Sequence, residues 1–286
     1  MTAILTPNLD MPGRLYLPGR NPDPDAERFG HLPVCDRPAV VFGEIVEELA
    51  YALVHRDRNV QVEPGPSDLG VECDRALAGA VAGRDEPGDD RQVNWRADVG
   101  TAIHMMFEQI MGNALTQKTG SGPRWLIETE MLIGYINGHK ITGHCDLFDL
   151  LARGVVDYKS KSKTQLIKSR HGLSVPYRRQ LNLYGYGWEQ LGLTPNWVGC
   201  LFVPRDGEWT DAFHHAEPYD RELALATLQR ADQMSRMVDA LGVEEVWKMY
   251  PPCGDKWCRW CPPPGRTWRE TGGAVEQVPD GDDAFG

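Results

Sequence analysis

The stretch GHCDLFDLLARGVVDYKSKSK, residues 143–163, predicts two short β-strands joined by a loop. Side chains alternate between the two faces of a strand, so Val155, Asp157 and Lys159 share one face. Asp146 lies on the preceding strand, within an otherwise apolar run. A carboxylate beside an ammonium group, next to a strand with another carboxylate, makes a compact site for a divalent cation and an activated water. We therefore expect the fold to be organised around these two strands.

The composition is that of an ordinary globular protein, with 286 residues, 41% of them hydrophobic and 25% charged. The formal net charge of −11 argues against non-specific nucleic-acid binding over the whole surface, although a metal-dependent nuclease also needs carboxylates in its site. The first residues lack the pattern of a secretory signal, and no apolar window reaches the length of a membrane span. We therefore expect a cytoplasmic protein that does not contact membranes.

The sequence divides into three predicted parts. Residues 1–38 are rich in Pro, Gly, Asp and Asn and show little periodicity, which indicates an irregular arm. Residues 39–264 hold all the predicted helices and strands and form the expected domain. Residues 265–286 contain several acidic side chains near the C-terminus and predict a flexible acidic tail.

Hydrophobic periodicity predicts a small mixed sheet flanked by helices, an α/β or α+β fold. The Asn137-Gly138 pair predicts a type I′ hairpin. Ser67 is placed to cap a helix that begins at Asp68 and reaches Cys73. The other predicted helices cover residues 40–54, 97–117, 176–191 and 220–241, and the predicted strands cover residues 125–136, 139–150, 154–160, 197–204 and 209–215.

The acidic residues on the strands are candidate ligands of a divalent cation. An Asp-x-Lys pair on a strand is often only a solvated face, but an unpaired carboxylate at Asp146 within an apolar strand would be costly. Glu128 and Glu130 on the preceding strand add more acid, and gathered carboxylates take up protons unless a cation keeps them ionised. We therefore expect Mg²⁺ or Mn²⁺. A metal that polarises a phosphate, with Lys159 orienting the attacking water, suits phosphodiester hydrolysis.

Several motifs follow one another in a fixed order along the chain: Gly100-x-x-x-His104, Glu130, Gly143-x-x-Asp146, Asp157-Tyr158-Lys159 and Gln180-x-x-x-Tyr184. This order resembles the PD-(D/E)XK nuclease superfamily, and within it the RecB-like exonucleases, which include the CRISPR-associated Cas-four group and its phage relatives. The resemblance implies a restriction-endonuclease-like core and makes the expected domain a RecB-like nuclease domain.

The resemblance also implies a role for each matching residue. A lone histidine on a helix is more often a core or surface residue, and the order of the motifs is what favours a metal ligand at this position. Either glutamate of the first strand fits the pattern, and we favour Glu130 over Glu128. The implied metal ligands are His104, Asp146, Asp157 and the main-chain carbonyl of Tyr158, with Lys159 as the catalytic lysine. The implied DNA-facing helix carries Gln180 and Tyr184, and Arg178 and Arg179 before them are candidate phosphate contacts.

Three of the seven cysteines lie close together as Cys253-x4-Cys258-x2-Cys261, a spacing typical of a metal site. Such a site needs a fourth ligand, and Cys73 is the natural candidate. The surrounding segment resembles the upstream cysteine segment of iron–sulfur RecB-like nucleases, which implies a 4Fe–4S cluster that closes the domain, with zinc as the alternative. Cys145 and Cys200 are expected in the core.

These patterns together predict a metal-dependent DNA exonuclease. The resemblance, rather than the composition, implies a preference for single-stranded DNA or DNA ends. It also allows protein partners in recombination, repair, phage DNA processing or CRISPR adaptation, and leaves the oligomeric state open. The alternative is a catalytically silent DNA-binding or adaptor protein with the nuclease fold and a zinc site.

Overall fold

A computed structural model of the chain describes residues 43, 45–49, 51–52, 63–84, 95–114, 124–255 and 258–262. The chain divides into two units, Met1–Leu53 and Val54–Gly286. In the first unit the described residues are helical, which agrees with the predicted helix over 40–54. The predicted arm and tail lie outside the described residues. Every candidate site residue belongs to the second unit.

The second unit is built on one five-stranded mixed sheet, in the order β1-β2-β3-β4-β5. The β3–β4 pair is parallel, and the other neighbouring strands are antiparallel. This arrangement places β3, the strand that carries the Asp-x-Lys pair, in the middle of the sheet. The strands are β1 (Trp125–Ile136), β2 (His139–Asp149), β3 (Gly154–Lys161), β4 (Trp197–Pro204) and β5 (Phe213–Pro218).

Helices flank this sheet, so the predicted fold class is confirmed. The core lies between the sheet and its helices, where for example Phe148 of the sheet stacks on Trp188 with ring centres 4.5 Å apart. None of the described helices is long and apolar enough to cross a bilayer. The helices are α1 (Pro66–Leu69), α2 (Asp74–Val81), α3 (Trp95–Ala114), α4 (Lys163–Ser169), α5 (Val175–Gln190), α6 (Arg221–Leu241) and α7 (Val243–Met249).

The hairpin between β1 and β2 has the predicted turn. Asn137 and Gly138 both have positive φ, +46° and +84°, as a type I′ turn requires. This two-residue turn sets the starting register of the two long strands.

Three local predictions differ from the structure. The helix expected to begin at Asp68 after a Ser67 cap and to reach Cys73 instead spans Pro66–Leu69, with Gly65 as its N-cap and the Gly65 amide donating to the Asp68 carboxylate at 2.8 Å. A new helix, α2, then begins with Cys73 as its N-cap. The strand expected over 209–215 begins only at Phe213, after a short 3-10 turn.

Helix α4 was not predicted, although its start has a recognisable pattern. Ser162 accepts a bond from the Gln165 amide, and the Gln165 side chain accepts one from the Ser162 amide. This reciprocal pair is a capping box, which is readable from the sequence Ser-x-x-Gln.

Candidate metal and catalytic site

Three side chains from three elements converge on one point beside the sheet. His104 of α3, Glu128 of β1 and Asp146 of β2 offer ligand atoms that all lie within 4.8 Å of one another. His104 Nδ1 is 3.4 Å from Asp146 Oδ2, which also accepts a bond from the Tyr158 amide at 2.6 Å. One imidazole and two carboxylates form a donor set that fits Mg²⁺ or Mn²⁺.

The structure distinguishes between the two glutamates of β1. Glu128 lies level with Asp146, since the residues on either side of it pair with Leu147 and Cys145, whereas Glu130 pairs with His144 and is exposed. Glu128 also has a φ of +44°, in the left-handed region, which costs a non-glycine residue on the order of 1–3 kcal/mol. The geometry therefore favours Glu128 over Glu130, the residue preferred from the sequence.

The Asp-x-Lys pair of β3 lies next to this group in a buried network. Asp157 is only 2% exposed, and its Oδ2 is 2.8 Å from Lys159 Nζ. Gln180 of α5 contacts both partners: its Oε1 accepts from Lys159 Nζ at 3.0 Å, and its Nε2 lies 3.3 Å from Asp157 Oδ1. Gln180 Nε2 also donates to Tyr184 Oη at 3.3 Å. Gln180 and Tyr184 are both buried: Gln180 orients the Asp157–Lys159 pair, and Tyr184 contacts Gln180. Their contact with DNA stays a prediction.

Burial and neighbouring charges alter the protonation of the site. Burial raises the pKa of Asp157 to about 6, and the adjacent Lys159 ammonium opposes this shift. Burial lowers the pKa of Lys159, but the Asp157 carboxylate more than reverses that effect. For His104, burial lowers the pKa, while the hydrogen bond and charge of Asp146 give a net increase. A cation bound here would keep the carboxyls ionised.

The two candidate phosphate-binding arginines have partners within the protein. Arg178 forms a bidentate pair with Glu217, with its closest nitrogen–oxygen distance at 2.7 Å. Arg179 donates to the carbonyls of Gly70 and Val71. Contact of either arginine with phosphate stays a prediction. The Tyr158 amide donates to Asp146 and its ring packs edge-on against His104 and Phe107, while its carbonyl as a metal ligand stays a prediction.

The four predicted cysteines form a second group. The sulfur atoms of Cys73, Cys253, Cys258 and Cys261 all lie within 4.8 Å of one another, and those of Cys73 and Cys261 are 3.6 Å apart. Burial raises the pKa of the Cys261 thiol to about 11, so metal binding at neutral pH would displace its proton. Four converging thiols fit a thiolate-bound metal centre. Cys145 and Cys200 are buried in the core, as expected.

Arginines that the sequence analysis did not single out hold the four-cysteine group in place. Buried Arg75 donates to the carbonyls of Trp247, Tyr250 and Trp260, and so ties α2 to the segment that carries the last three cysteines. Arg230 of α6 contacts Asp74 and the carbonyls of residues 71 and 72, beside Cys73. A lone arginine in a helix pattern carries no sequence signal for such a role.

We expect Gly79→Ala to destabilise the protein by about 1–3 kcal/mol through overpacking. A β-carbon at Gly79 would lie 2.0 Å from the ring of Trp260, which precedes Cys261 and packs against α2, the helix that Cys73 caps. The control is Gly112→Ala, because nothing lies within 4 Å of a β-carbon there and alanine favours the helix. Chemical denaturation of both variants measures the difference. Equal stability of the two variants would contradict the packing described here.

Comparison with known protein families agrees with the fold. The family model of the PD-(D/E)XK nuclease superfamily matches residues 36–265. The mixed sheet with converging carboxylates and an Asp-x-Lys strand is the arrangement of a nuclease, and the chain belongs to the PD-(D/E)XK nuclease superfamily. No curated protein matches the sequence.

Solved structures with a related chain trace have low sequence identity. The protein SSO0001 is 16% identical, with 73% of this chain and 94% of that chain covered and a TM-score of 0.40. An alkaline exonuclease from Laribacter hongkongensis is 10% identical, with 71% and 97% covered and a TM-score of 0.40. A phage related exonuclease from Haemophilus somnus 129PT is 14% identical, with 67% and 98% covered and a TM-score of 0.33.

Proposed function

We propose that this protein is a metal-dependent deoxyribonuclease that acts as an exonuclease on single-stranded DNA or DNA ends. The observation that carries the proposal is the convergence of His104, Glu128 and Asp146 beside the Asp157–Lys159 pair. The exonuclease activity and the single-strand preference are supported by the resemblance of the motif order to RecB-like exonucleases of the Cas-four type. The same resemblance supports a role in recombination, repair or phage DNA processing.

The residues of the site divide the chemistry among them. His104, Glu128 and Asp146 would hold Mg²⁺ or Mn²⁺, with Asp157 and the carbonyl of Tyr158 as the further ligands that the resemblance implies. When bound, the metal supplies charge neutralisation at the scissile phosphate and a lower pKa for bound water. Lys159 has three N–H donors, and Asp157 and Gln180 hold its ammonium group in place. A remaining donor is available to orient the attacking water or to bind a phosphate oxygen as its charge grows.

The four-cysteine group is proposed to bind a structural metal centre. The resemblance supports a 4Fe–4S cluster. The 3.6 Å separation of the Cys73 and Cys261 sulfurs is close to the edge of a tetrahedron around one ion, about 3.8 Å for Zn–S bonds of 2.3 Å, and so supports zinc. Iron, sulfide and zinc analysis of protein purified without oxygen distinguishes the two: iron with sulfide identifies the cluster, and one zinc per chain identifies the single ion.

The test of the proposed function compares the two neighbouring glutamates. We expect Glu128→Gln to reduce Mn²⁺-dependent degradation of end-labelled single-stranded DNA by at least about 100-fold, because it removes a metal-binding carboxylate. Glu130→Gln is the matched control, since Glu130 is exposed and two residues away on the same strand, and we expect near wild-type activity.

Both variants are assayed with Mg²⁺, with Mn²⁺ and with a chelator in place of metal. Wild-type protein that degrades no DNA under any of these conditions would support the silent DNA-binding alternative. If Glu130→Gln is inactive and Glu128→Gln is active, Glu130 and not Glu128 is the glutamate of the metal site.

A further inference from the structure

We infer that Lys161, held by Tyr177, binds the DNA phosphate next to the scissile phosphate. This inference rests on the proposed function and extends it to the substrate backbone. Lys161 is the last residue of β3, two positions after Lys159, so both side chains leave the same face of the strand. Two residues along a strand span about 6.7 Å, a spacing comparable to that of neighbouring phosphates on an extended DNA strand.

Tyr177 of α5 holds the two ammonium groups side by side. Lys159 Nζ lies 5.1 Å and Lys161 Nζ 5.0 Å from the centre of the Tyr177 ring, and Lys161 Nζ also donates to Tyr177 Oη. Both distances are within the range of a cation–π contact. The Tyr177 ring therefore restricts both lysines before any substrate binds.

Lys161 has no anionic partner among the described residues, in contrast to Lys159 and Arg178. Lys159 pairs with Asp157, and Arg178 pairs with Glu217. The bond to Tyr177 uses one of the three N–H donors of Lys161, which leaves two for phosphate oxygens.

The surrounding sequence is suited to a DNA strand that leaves the site along this side. Residues 159–188 contain seven Lys or Arg and no Asp or Glu, in a chain with a net charge of −11. Of these cations, Lys163 and Lys168 on α4 are exposed and lie directly after Lys161 in the chain. Positive charge is thus concentrated next to the catalytic strand, where a phosphate backbone requires it.

The test measures binding of the full chain to a short fluorescent single-stranded oligonucleotide, with Ca²⁺ in place of Mg²⁺ or Mn²⁺ so that cleavage is not needed. We expect Lys161→Ala to weaken binding about tenfold, as for the loss of a charged hydrogen bond. The slope of log K against log salt should become shallower by about 0.7, the value for one phosphate contact on a single strand. Lys161→Arg should restore most of the affinity, and the control Lys140→Ala, on β2, should change neither quantity.

A second set of oligonucleotides locates the contact. Each carries one neutral methylphosphonate, and the set covers successive positions near the cleaved end. Neutralising the phosphate next to the scissile bond should weaken wild-type binding about as much as Lys161→Ala does. It should have no further effect on Lys161→Ala itself, because both changes remove the same contact.

The outcomes separate this inference from the proposed function. Unchanged affinity and salt slope in Lys161→Ala, with an active wild-type enzyme, would overturn the phosphate contact and leave the nuclease intact. If Lys161→Ala loses binding as expected but the wild-type protein cleaves no DNA, the nuclease proposal is overturned and the phosphate contact stands. Absence of single-strand binding by wild-type protein would overturn both.

Discussion

Lys159→Met is expected to reduce the rate of DNA cleavage at saturating substrate by roughly 10²–10³-fold, the typical cost of removing one donor from a charge-stabilising site. Methionine keeps most of the apolar stem of the side chain but removes the ammonium group that Asp157 and Gln180 hold. The affinity for DNA should change little, because the ammonium group acts at the reacting phosphate. Single-turnover cleavage and equilibrium binding measure the two effects separately.

The matched control for this experiment is Lys140→Met, which makes the same substitution on a neighbouring strand far along the hairpin from Asp157. Folding is expected to survive in Lys159→Met, because burial already raises the pKa of Asp157 to about 6 and the carboxyl can take up a proton when its partner is lost. Near wild-type cleavage by Lys159→Met would remove Lys159 from the catalytic role. Loss of cleavage together with loss of DNA binding would assign it to substrate binding instead.

Short-range features of the site followed from the sequence because they depend only on strand and helix periodicity. Asp157 and Lys159 share a face of β3, and Gln180 and Tyr184 lie one turn apart on α5, as the spacing predicts. The choice between Glu128 and Glu130 depended on a longer-range feature, the register of the β1–β2 hairpin. Counting outward from the hairpin turn alone places residue 129 opposite Asp146, and a register shift between Leu132 and Gly134 moves Glu128 to that position.

Three arginines illustrate a different limit of sequence reasoning. Arg75, Arg179 and Arg230 all donate to main-chain carbonyls of segments that are distant in the chain. Carbonyl acceptors are present at every residue, so such contacts have no pattern of residue types that could indicate them. The cysteine spacing predicted the four-cysteine group, while the contacts that position it became visible only in three dimensions.

The contacts of α5 connect the four-cysteine group to the catalytic strand. Arg179 holds the segment that leads to Cys73, and the next residue, Gln180, contacts both Asp157 and Lys159. If the Cys73 segment moved, Arg179 would lose its partners there. The turn of α5 that holds Gln180 against the Asp157–Lys159 pair would then be less well positioned. We expect metal loss at the cysteines to lower activity without any direct contact between the two sites.

Cys258→Ala should consequently lose the bound iron or zinc and destabilise the protein. Closing the loop of about 180 residues between Cys73 and Cys253 costs on the order of 4–5 kcal/mol in chain entropy, which metal–thiolate bonds offset. Metal content, the thermal midpoint of unfolding and cleavage rate are measured on the same preparations. The control is Cys200→Ala, a buried cysteine outside the group, which should keep its metal and lose only the stability of a small core truncation.

The metal content of Cys73→Ala tests whether the four cysteines form one metal centre. Cys73 is separated from the other three cysteines by most of the domain sequence. Equal metal loss in both variants is expected, because the four sulfurs lie within 4.8 Å of one another. Full metal content in Cys73→Ala would place the fourth ligand elsewhere. Metal-free protein with wild-type stability would mean that Arg75 and its carbonyl partners, without the metal, suffice to join the two ends of the domain.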